Sequence, residues 1–205
     1  MKKQHRLIIF VKAPIPGQVK TRLAKQTGLL QAARIYRQLL SRLISRLQDL
    51  NTCDIEIHCS PDTRHPFLRQ CAQQLNACLH KQVGNDLGMR MFNSLRSGLK
   101  RSEICVLIGS DMPEISANDI NASINCIKGG TDVVFLPAED GGYGLVAMKT
   151  VNAALFRNMR WSQSDVLEKT LARAIKLGLE YKLLPAKTDI DSKLDFINYS
   201  RRNVC

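Results

Sequence analysis

No Asp or Glu occurs before Asp49. That stretch nevertheless holds eleven basic residues: Lys2, Lys3, Arg6, Lys12, Lys20, Arg22, Lys25, Arg34, Arg37, Arg42 and Arg46. The other nineteen Lys and Arg face eighteen acids, so the net charge of +12 sits almost wholly in the first quarter. Such a field attracts nucleotides, phosphorylated metabolites or nucleic acid. For Arg34, Arg37, Arg42 and Arg46 a solvated helix face is the preferred reading. Long apolar runs are also missing. Nothing could span a bilayer or serve as the core of a signal peptide. A cytoplasmic protein without a membrane partner is therefore expected. No C-x-x-C pair occurs among the seven cysteines, and the four histidines have no metal spacing, which argues against a disulfide framework or a zinc site. Aromatics are only 5% and no nucleic-acid motif appears, so nucleic acid is not an expected partner. Internal repeats, low-complexity tracts and long linkers are absent too.

What is present suits one domain over residues 1–205, with 44% hydrophobic and 23% charged residues. Buried strands are predicted at Arg6 to Val11 and Ile104 to Gly109, and further strands at Cys53–Cys59, Asp132–Pro137, Gly144–Met148 and Tyr181–Pro185. Helices are predicted from about Thr27 to Gln48, through Phe67–Leu75, and after the loop that starts at Gly84. Further helices follow three pairs with capping-box spacing: Ser116/Asp119, Ser162/Asp165 and Ser192/Asp195. Cys53–Cys59 alternates apolar and polar residues as a strand does, and His58 within it reads as structural. Alternating strands and helices imply an α/β fold with a mostly parallel sheet between helical layers. Ligands bind such sheets at the carboxyl ends of the strands.

Four of those ends carry suggestive residues. After Val11 comes "KAPIPGQVKTRL", a basic loop that Pro14 and Pro16 stiffen and in which Gly17 permits close backbone approach. Lys20 and Arg22 precede the first helix, where an anion is also favoured. The loop is neither G-x-x-x-x-G-K-[ST] nor G-x-G-x-x-G, and a basic surface turn remains the alternative. After Gly109, Asp111 is placed to bind Mg²⁺, or else it is a turn residue. After Pro137, "AEDGGYGL" offers Asp140 to a hydroxyl and two glycines for close approach. A tight Asp-Gly hairpin is the alternative. After Pro185, Asp189 and Asp191 could bring a second carboxylate to the same ion, or cap the last helix.

Six motifs then fall in order: "KAPIPGQVKTRL", "GNDLGMRM", "IGSDMPEIS", "PAEDGGYGLVAM", W-S-x-S-x-V and "DIDSKLDF". From about Leu7 to Phe196 the chain resembles small bacterial transferases of the nucleotide-diphospho-sugar transferase superfamily. They are labelled radical-SAM/selenodomain-associated transferase 1 and, in some contexts, arsenosugar-biosynthesis glycosyltransferases. The resemblance implies a GT-A-like, Rossmann-type fold and an Mg²⁺- or Mn²⁺-dependent transferase. Its partners would be a nucleotide or nucleotide sugar and a small-molecule acceptor. It puts Lys12, Pro14, Gly17, Lys20, Arg22 and Asp86 on the nucleotide, and Asp111 and Asp191 on the metal. Asp140, Gly141, Gly142 and Tyr143 would line the acceptor or sugar pocket. Catalysis would fall to Asp111, Lys20 and Asp140. The chain departs from the family pattern at Met89, where an acid is expected. It also lacks a strict D-x-D, since Ser110 and Met112 flank Asp111. Glycosyl transfer and nucleotidyl transfer both fit, the former slightly better. Nucleic-acid binding and a non-catalytic member are the remaining alternatives.

Overall fold

The computed structural model describes residues 5–202. Seven strands form one sheet: β1 (His5–Lys12), β2 (Cys53–Ser60), β3 (Cys78–Lys81), β4 (Ile104–Gly109), β5 (Val133–Pro137), β6 (Tyr143–Met148) and β7 (Tyr181–Leu183). Their spatial order is β3-β2-β1-β4-β6-β5-β7. All neighbours are parallel except β6, which runs antiparallel between β4 and β5. β1 and β4 lie in the middle and are apolar over nearly their whole length, because helices cover both faces.

The helices are α1 (Thr21–Thr27), α2 (Leu29–Arg46), α3 (Pro66–Gln74), α4 (Leu87–Leu99), α5 (Ala117–Lys128), α6 (Val166–Lys176) and α7 (Lys193–Arg202). Leu7, Ile9 and Val11 of β1 point into one core with side chains of α2, α3 and α5. Ile8 and Phe10 point the other way, into a second core with α4 and α6. This period of two puts a helical layer on each face. A third apolar cluster joins α1, α2 and α7 through Leu23, Leu39, Ile190 and Tyr199.

Several expectations need correction. The first predicted helix is two helices, because Gly28 has φ 86°. Its amide closes α1 on the Ala24 carbonyl, and its own carbonyl opens α2 by accepting from Ala32 N. The edge strand β3 was not expected; its four residues are half-exposed and lack an apolar alternation. In β2 two of the polar residues do not face water, whereas Asp54 is partly exposed. Glu56 and His58 are buried, and Glu56 is held by Arg6, by Arg101 (3.0 Å) and by His58 (3.1 Å). His58 also bonds Ser94 Oγ at 2.8 Å, so the reading of His58 as structural agrees with its surroundings. Burial alone would raise the Glu56 pKa. The His58 hydrogen bond and the charges of Arg6, Arg101 and His80 outweigh it, bringing Glu56 down to about 2.

Ser116/Asp119 and Ser192/Asp195 do form reciprocal capping boxes. Ser162/Asp165 does not, because α6 starts only at Val166. The amide of Leu167 in its first turn is instead bound by the Gly141 carbonyl at 2.9 Å. The six cysteines among the described residues form no disulfide. No helix there is long and apolar enough to cross a membrane.

Candidate active site

At the carboxyl edge of the sheet, β1 delivers the loop of residues 13–20. The Ala13 amide is tied to the Ser60 carbonyl at 2.8 Å, and Ala13 and Val19 are buried. Gly17 has φ 82°. Lys20 takes the left-handed conformation, φ 46°, ψ 49°, which a side chain rarely adopts without compensation. Here the compensation is electrostatic. That backbone turns the Lys20 side chain inward, where it is 3% exposed. Its ammonium donates to Asp111 Oδ1 at 2.6 Å and Asp191 Oδ1 at 2.9 Å. Burial would lower the Lys20 pKa, but the two carboxylates overcome it and hold the pKa above its ordinary value.

Three distant segments therefore meet on one nitrogen. Asp111 follows β4, and its backbone carbonyl accepts from Ile190 N at 3.1 Å, which draws the segment before α7 onto the same edge. Asp191 is aimed by Asp195, whose carboxylate accepts from Asp191 N and Ser192 N at 3.1 and 2.7 Å. Arg22 reaches Asp191 at 3.6 Å from the first turn of α1, inside the helix rather than before it. Behind Asp111, the buried Tyr36 hydroxyl accepts from Lys12 N and pairs with Ser110 Oγ, both at 2.9 Å. Tyr36 thus braces the ends of β1 and β4 together. Tyr36 lies within the helix predicted from about Thr27 to Gln48, and sequence reasoning gave it no role at the site; a phenol among the helix's apolar residues was the available signal.

Beside this clamp lies a cavity of about 460 Å³, lined by Arg22, Gln26, Glu139, Asp140, Asp189, Asp191 and their neighbours. Asp189 is pushed up to about 6, first by burial and then by Asp140 and Asp191. Acids thus dominate the lining. The basic loop does not make this edge a plainly positive pocket, because Lys20 is already neutralised by two carboxylates.

The other expected residues are dispersed. Lys12 is exposed at the end of β1 and Pro14 is half-buried in the loop. Asp86 caps α4 by accepting from Met89 N at 2.8 Å and is not among the residues that line the cavity. Asp140 lines the cavity, yet it also makes the tight turn: Gly142 N donates to its Oδ1 at 2.9 Å. The Gly141-Gly142 pair was read as room for a ligand. A Cβ on Gly141 would instead lie 1.8 Å from the Ser164 carbonyl, so its close neighbour is this chain's own backbone. Tyr143 packs its ring on Phe135 (centroids 5.1 Å) and Trp161 (6.5 Å), and its hydroxyl is buried. Its place is in the core beneath α6, because β6 directs it to that face.

Among the described residues no group of three or more His, Cys, Asp and Glu is arranged to hold a metal ion. Asp111 and Asp191 are the hard oxygen pair that Mg²⁺ or Mn²⁺ takes when phosphate completes its shell. Their side chains remain 58% and 36% exposed. The donor set fits such an ion, in competition with Lys20 for the same oxygens.

A family model described as "Uncharacterized protein conserved in bacteria" (DUF2064) matches residues 43–163, more than half of the chain. The chain belongs to this family. The matched span of this DUF2064 protein includes Asp111 and Asp140 but neither Lys20 nor Asp191. No curated protein matches it. Among solved structures, a protein from Desulfovibrio desulfuricans G20, proposed to be a nucleotide-diphospho-sugar transferase, is similar over 99% of this chain and 88% of its own. Its TM-score is 0.88 at 30% identity. The 4-diphosphocytidyl-2C-methyl-D-erythritol synthase of Anaerococcus prevotii DSM 20548 has a TM-score of 0.65 at 12% identity, over 98% and 96% of the two chains. CMP:2-keto-3-deoxy-manno-octonic acid synthetase, solved with CTP, has 0.56 at 10%, over 97% and 99%. The fold is the GT-A-like, nucleotide-diphospho-sugar transferase type.

Proposed function

We propose that this chain is a transferase acting on a nucleotide substrate, moving a glycosyl group from a nucleotide-diphospho-sugar to a small acceptor. The observation that carries the reading is the convergence of Lys20, Asp111 and Asp191 at the carboxyl edge of the sheet. The 30% identity to the Desulfovibrio protein supports the substrate class, and the ordered motifs support the radical-SAM/selenodomain-associated branch. When a diphosphate enters, the Lys20 ammonium exchanges one carboxylate for a phosphate oxygen, and Arg22 approaches from the mouth of the cavity. Asp111 and Asp191 would hold Mg²⁺ or Mn²⁺, which would supply electrostatic stabilisation of the leaving diphosphate. Lys20 and Arg22 offset the same charge without any covalent nucleophile. An acceptor hydroxyl in the cavity hydrogen-bonds Asp140 and gives up its proton to a carboxylate there. Its oxygen bonds the anomeric carbon as the carbon–phosphate oxygen bond breaks. Asp189, pushed up to about 6, is the carboxylate of that cavity best matched to taking a proton near neutral pH.

Nucleotidyl transfer is the second reading, favoured by Lys20 and Arg22 flanking one loop end, where a triphosphate would lie. Pyrophosphate would then be released instead of a nucleoside diphosphate. A thermal-shift panel of NTPs and nucleotide sugars, with and without Mn²⁺, tests both. The expected result is a metal-dependent rise in melting temperature with a nucleotide sugar that disappears in folded Asp111→Asn. No shift with any nucleotide, or an undiminished shift in that variant, overturns the proposal.

A further inference from the structure

The positive charge of the first quarter and the candidate active site have parted company. Arg6 is spent on Glu56, Lys20 on two carboxylates and Arg22 on Asp191, while the cavity itself is lined mainly by acids. The exposed remainder includes Lys25 on α1 and Arg34 and Arg37 on α2. No acid occurs in α1, α2 or α3. In the first turn of α2 stand two leucines turned to solvent, Leu29 at 56% and Leu30 at 67% exposure. Leu30, Arg34 and Arg37 are exposed at spacings of four and seven along one side of α2, the Arg37 guanidinium lying 4.6 Å over the Phe67 ring of α3 and keeping its charge. Leu29 Cδ1 lies 3.9 Å from where a Cβ would stand on Gly17, which brings the glycine loop to the same patch.

We propose that the N-terminal end of α2 docks on an anionic lipid bilayer. Acidic headgroups match Lys25, Arg34 and Arg37, with no carboxylate on α1, α2 or α3 to repel them. The acyl boundary takes Leu29 and Leu30. The leucines decide the partner: a nucleic-acid backbone matches the charges and leaves two exposed apolar side chains without a role. A surface contact of this kind needs no spanning segment. The sequence-based expectation of no membrane partner rested only on the absence of such a segment. The proposal is independent of the transferase reading.

Co-sedimentation with phosphatidylcholine vesicles, with and without phosphatidylglycerol, is the test. Binding is expected only to the anionic vesicles and should fall as salt rises. Leu29→Ser with Leu30→Ser should cut partitioning by about tenfold or more. Arg34→Gln and Arg37→Gln should each cut it by about fivefold. Leu30→Ser alone serves as a milder variant, and circular dichroism checks that each protein is folded. No preference for anionic vesicles overturns the proposal, as does binding that ignores the leucines. Duplex DNA binding that is tighter than vesicle binding and unchanged by the leucine substitutions would assign the face to nucleic acid and overturn it as well.

Discussion

A lysine buried between two aspartates holds its backbone in a conformation it would otherwise avoid. Replacing Lys20 by Met removes the partner that Asp111 and Asp191 share and leaves two like charges close together. We expect a loss of about 1–3 kcal/mol at neutral pH, measured by urea denaturation, since both carboxylates are exposed enough to recover hydration. Nucleotide affinity, by calorimetry, should fall by about one to two orders of magnitude. Glu56 is the opposite case, a fully enclosed acid with several cationic partners. Glu56→Gln should cost about 3 kcal/mol at pH 7, because Arg101 loses its counter-charge and the buried Arg6 keeps only the looser Asp54 pair at 3.6 Å. Its pKa is depressed to about 2 from an ordinary 4.5. The stabilisation is therefore present above pH 4.5 and lost as pH falls toward 2, so the gap between variant and parent should close in that window. Lys20, Asp111 and Asp191 were legible in the sequence as charged residues beside strand ends. That Lys20 would spend its charge on both aspartates was not, because the pairing depends on a left-handed turn and on a carboxylate 171 residues away.

Among the elements, strands with continuous apolar runs and helices with capping boxes were readable, because local periodicity carries them. The failures share one physical cause. Gly28, β3 and the polar side chains of β2 depend on neighbours rather than on their own pattern. The alternation of Cys53–Cys59 was read correctly as a strand, but the burial of Glu56 and His58 was not legible, since Arg6, Arg101 and Ser94 supply from other elements what water would have supplied. The β5–β6 turn is a similar case. Gly141 has φ 87° and lies against Ser164, while its carbonyl anchors the first turn of α6. Gly141→Ala should destabilise by about 3 kcal/mol or more, combining strain with a clash against backbone that has no rotamer to change. Gly28→Ala also meets a positive φ but finds no atom within 4 Å, so only about 1 kcal/mol is expected. Chemical denaturation of the pair separates clash from strain. Equal losses would show that the Ser164 contact yields readily.

For the molecule as a whole, one ammonium joins the loops after β1, after β4 and before α7. Hydrogen exchange should report this directly. In Lys20→Met, amides of residues 13–20, 110–113 and 188–192 should lose protection together while β1 and β4 keep theirs. Protection lost only near position 20 would mean that the loops are held independently. The overall sheet was legible because alternating strands and helices have few ways to pack. The direction of β6 was not, since a hairpin and a crossover share the same apolar strand pattern. The late position of Asp191 also has a bearing on how the protein is made. During synthesis the amino-terminal strands and helices emerge first and have the material to pair early. Lys20 then waits with at most one of its two anchors until Asp191, 171 residues later, has left the ribosome. A nascent chain stopped before Thr188 would lack Asp189 and Asp191, so arrival of the segment that carries them is the step that closes the clamp on a formed sheet.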